Sequence, residues 1–361
     1  MPSKLYRPEV FQGNLRKKHY FEGWYLKHVS AEGGHVLSFI PGISLSPEDP
    51  HSFVQYIDGK NGLSGSVRYG IEEFTWNPRS FEIAVGPNTF SRRGSVIDLA
   101  DGERKIEACF AYSHTVSFPV RPFAPGIMGW YSFVPFMECN HGVVSLHHTV
   151  HGSCTIDDTE YIFEHGEGYI EKDWGTSFPE SWLWLQCNSF GESETSLMVS
   201  VAKIPWLRRS FVGFLAFLYH RGTVYLYTTY NGSSLEDFSA LENEASFTLK
   251  AAPQRGAAVG SSQRKDGFSR KEFRKKPGKT IKIEETGSLL HVRASRKISG
   301  ALDAPSLGEM NRRIRESIDA RVEVELQDLR GNPLFHGSGN YAGMEVEGDI
   351  TGEVEATQKS G

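Results

Sequence analysis

Val212-Gly213-Phe214-Leu215-Ala216-Phe217-Leu218-Tyr219-His220-Arg221-Gly222-Thr223-Val224-Tyr225-Leu226-Tyr227-Thr228-Thr229-Tyr230 is the stretch that decides the fold. Two apolar, aromatic-rich runs of strand length flank His220-Arg221-Gly222, and a polar break ending in glycine between such runs reads as a β-hairpin. The run Phe211 to Tyr219 is the longest apolar stretch of the chain. It falls far short of the roughly 20 residues a membrane helix needs.

The same pattern repeats in both directions from this hairpin. Upstream, Trp24 to Val29, His35 to Ile40, Ser52 to Ile57, Phe81 to Val85, Ser95 to Leu99, Lys105 to Ala111, Val143 to His151, Trp182 to Cys187 and Ser196 to Lys203 read as strands. Nearly every gap holds Gly, Asn, Asp or Pro, and Asp58-Gly59-Lys60-Asn61-Gly62 reads as a further turn. Downstream, Thr280 to Glu285, Leu289 to Ala294, Arg321 to Gln327 and Leu334 to Gly337 continue the series. One helix is expected, over 306–319. It places Leu307, Met310, Ile314 and Ile318 on one face, with Ser306 and Glu309 at capping-box spacing.

A chain of 361 residues exceeds what one core usually organises. The expectation is an all-β protein of two lipocalin-like antiparallel β-barrel or sandwich domains with few helices, residues 1–178 and 179–355. Between them the strand signals thin out from Gly166 to Pro179. Residues 252–279, polar, Gly-rich and basic, read as a flexible solvated loop.

Composition narrows the function. With 39% hydrophobic and 23% charged residues and a net charge of −5, the chain is globular and gives no reason to expect nucleic acid. Four widely spaced cysteines form no C-x-x-C pair, so neither a disulfide framework nor a thiolate zinc site is indicated. The first eight residues contain no signal-peptide core, which leads to a cytoplasmic expectation. The expected partner is a small hydrophobic molecule, with at most peripheral membrane contact, no integral membrane segment and no cofactor. Small barrels of about eight strands commonly hold one such ligand.

The chemical motifs are carboxylates and histidines. There is no G-x-S-x-G elbow, and Gly166-Glu167-Gly168-Tyr169-Ile170-Glu171 fails the dinucleotide pattern at its last glycine. His141, His147, His148 and His151 cluster, but His147 and His151 on one strand face are about 13 Å apart, too far to ligate one ion. No metal is expected. Glu22, Glu138, Glu171 and Asp173 sit in aromatic, nearly uncharged surroundings, where a carboxyl can stay protonated and act as a general acid.

The order of the aromatic motifs adds a resemblance. Phe21-Glu22-Gly23-Trp24-Tyr25-Leu26-Lys27, Ile40-Pro41-Gly42-Ile43, Phe53-Val54-Gln55, Pro125-Gly126-Ile127-Met128-Gly129-Trp130-Tyr131 and Met137-Glu138-Cys139-Asn140-His141-Gly142 come first. Gly168-Tyr169-Ile170-Glu171-Lys172-Asp173-Trp174-Gly175, Ser177-Phe178-Pro179, Trp182-Leu183-Trp184-Leu185-Gln186-Cys187-Asn188, Ala304-Pro305 and Tyr341-Ala342-Gly343-Met344-Glu345-Val346-Glu347-Gly348 follow. This series resembles the tocopherol cyclase family across almost the whole chain.

The resemblance implies a two-domain, calycin-like fold and the closure of a prenylated hydroquinone to a chromanol. That reaction needs a neutral acid for the alkene, aromatic faces around a tertiary cation, and a base for the phenol. On this basis Asp173 is expected as the acid, with Glu171 and Glu138 behind it, and His141 or His147 as proton acceptor. Glu22, Trp24, Trp130, Trp174, Trp182 and Trp184 are expected around the substrate. Two alternatives stand beside this one: a non-catalytic carrier of a prenylquinone or lipid, and an alkene hydratase on a related barrel.

Overall fold

The computed structural model describes residues 3–31, 34–191, 194–206, 209–252 and 281–360. The basic stretch 252–279 therefore lies, except for Ala252, outside the described residues.

The first sheet holds β1 (Phe21–Val29), β2 (Val36–Ser44), β3 (His51–Asp58), β4 (Leu63–Gly70), β5 (Phe74–Trp76), β6 (Glu82–Val85), β7 (Asn88–Ser91), β8 (Gly94–Ala100), β9 (Lys105–Val116), β10 (Cys139–Ile156), β11 (Thr159–Ile162) and β12 (Gly166–Gly175). Its strand order is β4-β3-β2-β1-β12-β10-β9-β8-β7-β6-β5, with β11 paired to β10. The end strands β4 and β5 are consecutive in the chain, separated only by the 3-10 turn Ile71–Glu73, so the sheet curls nearly to closure.

The second sheet holds β13 (Trp182–Cys187), β14 (Thr195–Trp206), β15 (Arg209–His220), β16 (Thr223–Thr228), β17 (Ser234–Ala240), β18 (Glu244–Lys250), β19 (Lys282–Glu284), β20 (Ser288–Ser295), β21 (Gly300–Ser306), β22 (Glu309–Asp328) and β23 (Pro333–Glu347). It runs β17-β18-β20-β22-β23-β13-β14-β15-β16-β19, with β21 on β22. Among its described pairings only β16–β19 is parallel. The opening hairpin is β15–β16, with Arg221 and Gly222 at positive φ in the turn. The helix α1 (Ile350–Ser360) closes the described chain, and no described helix is long and apolar enough to cross a membrane.

Period-2 alternation sorts the apolar side chains into three cores. One, with Trp24, Leu26, Phe39, Val54, Phe90 and Phe110, fills the curl of the first sheet. Another, with Leu185, Val199, Leu218, Leu249, Val292 and Val324, belongs to the second. The third joins them: Tyr25, Val36, Ile57 and Tyr169 from the first sheet pack with Trp182, Trp184, Met198, Phe217, Ile314 and Ile318 from the second.

The expected helix over 306–319 is a strand hairpin instead. Met310, Ile314 and Ile318 are four apart, a spacing that keeps residues on one side in a strand as well as in a helix. From Ile314 the burial alternates, with Ile314, Glu316, Ile318, Ala320, Val322, Val324 and Leu326 inward. Leu307, expected on the apolar face, is exposed in the β21–β22 turn. Both Leu307 and Gly308 have positive φ, as a two-residue type I′ turn requires. This hairpin reaches onto the first sheet. Gln55 and Asp303 exchange hydrogen bonds (Gln55 Nε2 to Asp303 O 2.9 Å, Asp303 N to Gln55 Oε1 2.7 Å), and Ser64 and Ala301 do likewise at 2.9 and 3.0 Å.

Candidate active site

Between the two sheets lies a cavity of about 180 Å³. Its walls are mainly apolar: Phe21, Ile40, Phe53, Met128, Tyr131 and Phe178 on one side, Trp182, Trp184, Ile204, Phe211, Leu302 and Ile314 on the other. Into this lining project His141, Glu171, Asp173, Glu316 and Glu345.

The first polar group comes from adjacent strands. His141 on β10 stands opposite Asp173 on β12, and Glu171 follows two residues along on the same face. His141 Nδ1 lies 2.9 Å from Asp173 Oδ1, and its Nε2 lies 3.4 Å from Glu171 Oε2. Tyr169 OH donates to Glu171 Oε2 at 2.7 Å. Burial by itself would keep the imidazole neutral, but the charges of Asp173 and Glu171 outweigh it and raise His141 to about 9. Glu171, only 4% exposed, is pushed up to about 7 by burial and by Asp173, against the opposing pull of His141. The donor atoms of the three residues lie within 4.8 Å of one another, and the imidazolium supplies the positive charge that the two carboxyls share.

His141 also lines a smaller polar cleft with Gln12, Ser132, Asn140 and Trp174. It therefore borders both the apolar cavity and this cleft.

Strand alternation separates the expected site residues. Lys172, between Glu171 and Asp173 in sequence, faces the interior of the first sheet, where its Nζ meets Glu22 Oε1 at 2.5 Å and donates to Val10 O at 2.6 Å. Glu22 accepts backbone N–H groups of Gln12 and Gly13 at 2.8 and 3.0 Å, which ties down the N-terminal segment. Trp24 stacks on Phe81 in that same core, with Lys172 Nζ 4.5 Å from its ring. Glu22 and Trp24 are thus core residues of the first sheet and do not line the cavity.

Glu138 is exposed; its carbonyl accepts from Thr176 N at 2.7 Å, while its neighbours Met137 and Cys139 line the cavity. Trp130 is half-exposed and outside the lining, which takes Tyr131 instead. Trp174 lines the polar cleft. His147 Nε2 lies 3.9 Å from Glu167 Oε1, away from the cavity. His148, displaced by bulges in β10, is buried beside Tyr112 with its Nδ1 2.9 Å from Ser145 Oγ. Trp182 and Trp184 are in the wall as expected. Trp184 sits against Gly343, where a Cβ would come within 2.5 Å of its ring.

The sequence reading missed Tyr25, Glu316 and Glu345. Tyr25 OH donates to Glu316 Oε1 at 2.7 Å and accepts from Ser38 Oγ at 2.9 Å. Trp182 Nε1 donates to Glu345 Oε2 at 2.6 Å. Burial raises Glu316 to about 8 and lifts Glu345 as well. The signal available was inward parity on β22: Glu316 falls between Ile314 and Ile318 on the apolar face.

A family model described as tocopherol cyclase-like matches over 88–237. The similarity is confined to that stretch of the chain. This stretch contains His141, Glu171, Asp173, Trp182 and Trp184, and stops short of Glu316 and Glu345. The chloroplastic tocopherol cyclase of Zea mays is 31% identical over 74 residues, covering 20% of this chain and 16% of that protein. The crystal structure of CghA superposes with a TM-score of 0.51 and 10% identity, covering 91% of this chain and 88% of the other. That likeness shows the shared two-sheet fold. Kievitone hydratase from Nectria haematococca has a TM-score of 0.49 at 9% identity, over 92% and 89% of the two chains.

Proposed function

We propose that this protein closes a prenylated hydroquinone to a chromanol by proton transfer in the cavity between its sheets. The observation that carries this reading is the His141–Glu171–Asp173 array, three proton-handling groups in hydrogen-bond or ion-pair contact on an otherwise apolar wall. Burying mutually charged groups against an apolar ligand is costly, and proton transfer gives that cost a use. The family likeness over 88–237 supports the same reaction class.

In this reading the prenyl chain and ring lie along the aromatic walls. Trp182, Trp184 and Tyr25 provide faces for a tertiary cation, about 0.5–2 kcal/mol each. Glu171 receives the phenolic proton as the oxygen attacks that cation. Its acid strength near neutrality suits a base of this kind. Asp173 holds the imidazolium of His141, and His141 in turn favours the ionised form of Glu171 and passes protons toward the polar cleft. Asp173 therefore serves as partner to His141 in place of the alkene acid.

The test is incubation with a reduced prenylbenzoquinol and detection of the isomeric chromanol by chromatography and mass spectrometry, with binding followed by tryptophan fluorescence. Chromanol formation is the expected result; tight binding without product would make the protein a carrier.

A further inference from the structure

Protonating an alkene requires a neutral acid inside the cavity. Glu316 on β22 and Glu345 on β23 stand directly opposite each other in the antiparallel ladder, so their side chains leave the same face about 5 Å apart at Cβ. Both line the cavity. Among the described residues no ion pair reaches either carboxyl. The cations whose fields act on Glu316 are engaged elsewhere: Lys27 Nζ donates to Gln186 Oε1 at 2.8 Å, and Arg296 Nη1 donates to the carbonyls of Arg315 and Met344 at 3.0 and 2.9 Å. Glu171 adds a third carboxyl to the same field. Lys27 and Arg296 act on Glu316, and Arg296 also on Glu345, but neither touches a carboxyl and burial outweighs them, so the two facing carboxyls hold at least one proton between them.

The neighbouring donors fit an acid that must also survive losing its proton. Tyr25 OH and Trp182 Nε1 each give one hydrogen bond to the pair, which stabilises the anion left behind. Trp184, opposite Glu345 in the β13–β23 pairing, also lines the cavity. It is 7% exposed, and its indole N–H, turned toward Glu171, favours the ionised form of that carboxyl.

We propose that the Glu316–Glu345 pair is the proton donor to the substrate alkene, an assignment that rests on the cyclisation reading above. The carboxyl O–H bond breaks as the alkene π electrons form a C–H bond at the less substituted carbon. The tertiary cation takes a lone pair from the phenol oxygen, forming the C–O bond, and the phenolic O–H bond breaks with its proton passing to Glu171. The substrate is isomerised without oxidation or reduction. Proton exchange with solvent then returns Glu171 to its anion and the pair to its protonated form.

In D2O, wild-type protein given a reduced prenylbenzoquinol forms chromanol with one new C–D bond. Glu316→Gln loses about a hundredfold or more in turnover while chromanol binding by tryptophan fluorescence is unchanged. Glu345→Gln removes the facing charge, so the alkaline limb of the pH–rate profile moves to lower pH. Infrared difference spectra show a protonated carboxyl band at pH 7 that titrates away in alkali, in wild-type protein and also in Glu171→Gln, where Glu171 no longer contributes to it. A missing band at pH 7, or wild-type turnover preserved in Glu316→Gln, overturns the acid assignment alone; no chromanol from wild-type protein overturns the cyclisation reading and the acid with it.

Discussion

Strands β12 and β22 face the same cavity from different sheets, and each turns a buried glutamate into it, Glu171 and Glu316. On β12 the glutamate sits beside its partners: Asp173 shares its face, Tyr169 donates to it, and His141 is on the next strand. On β22 the adjacent Arg315 points to solvent and reaches Glu242, while the groups that control Glu316 come from β1 and β23. One wall carries an ion-paired array, the other a pair of carboxyls with no cation in contact. The contrast shows how one enclosed volume can hold two glutamates in opposite electrostatic settings.

The sharpest way to break the comparison is to disturb the hidden side of β12. Lys172→Met leaves Glu22 buried and unpaired and should cost about 3–5 kcal/mol in urea unfolding. It should unfold the site along with the sheet. Glu171→Gln should leave the fold intact and lower turnover about a hundredfold, near 2.7 kcal/mol of activation energy. Asp173→Asn, by removing a hydrogen bond between charged groups worth about 1.5–3 kcal/mol, should slow turnover roughly tenfold or more. NMR titration should then place the His141 imidazole below its wild-type value of about 9.

Two further effects sharpen the β22 side. Folding holds Glu316 protonated up to about 8, whereas the unfolded chain releases that proton near 4.3. Between these values the native state binds more protons, so stability falls as pH rises. The wild type should lose stability relative to Glu316→Gln across that window, measured by parallel unfolding curves. Gly308→Ala should cost about 1–3 kcal/mol, because φ is +83° there and a Cβ would come within 2.4 Å of the His19 backbone.

The sequence was legible where local pattern decides the outcome. Alternating runs cut by Gly, Asn, Asp and Pro gave the all-β class, and the uncharged aromatic setting of Glu171 and Asp173 marked them before any geometry was known. What parity sorts along a strand was harder to see. Glu22 and Trp24 lie in an aromatic motif as striped as the one around Glu171, yet they belong to the opposite face from Tyr25. The bulges between Val143 and His148 then reset which β10 histidine faces where. Least legible was Glu316, since the four-residue spacing of Met310, Ile314 and Ile318 fits a helix and a strand equally. Its meaning came from Glu345, 29 residues later and across a ladder.

The β21–β22 hairpin belongs to the second sheet but exchanges paired hydrogen bonds with Gln55 and Ser64 of the first. Neither half can melt without stripping that hairpin from the other and opening the shared core behind it. Calorimetry should accordingly record a single transition, and a chain cut between the sheets should yield fragments that gain structure only when mixed.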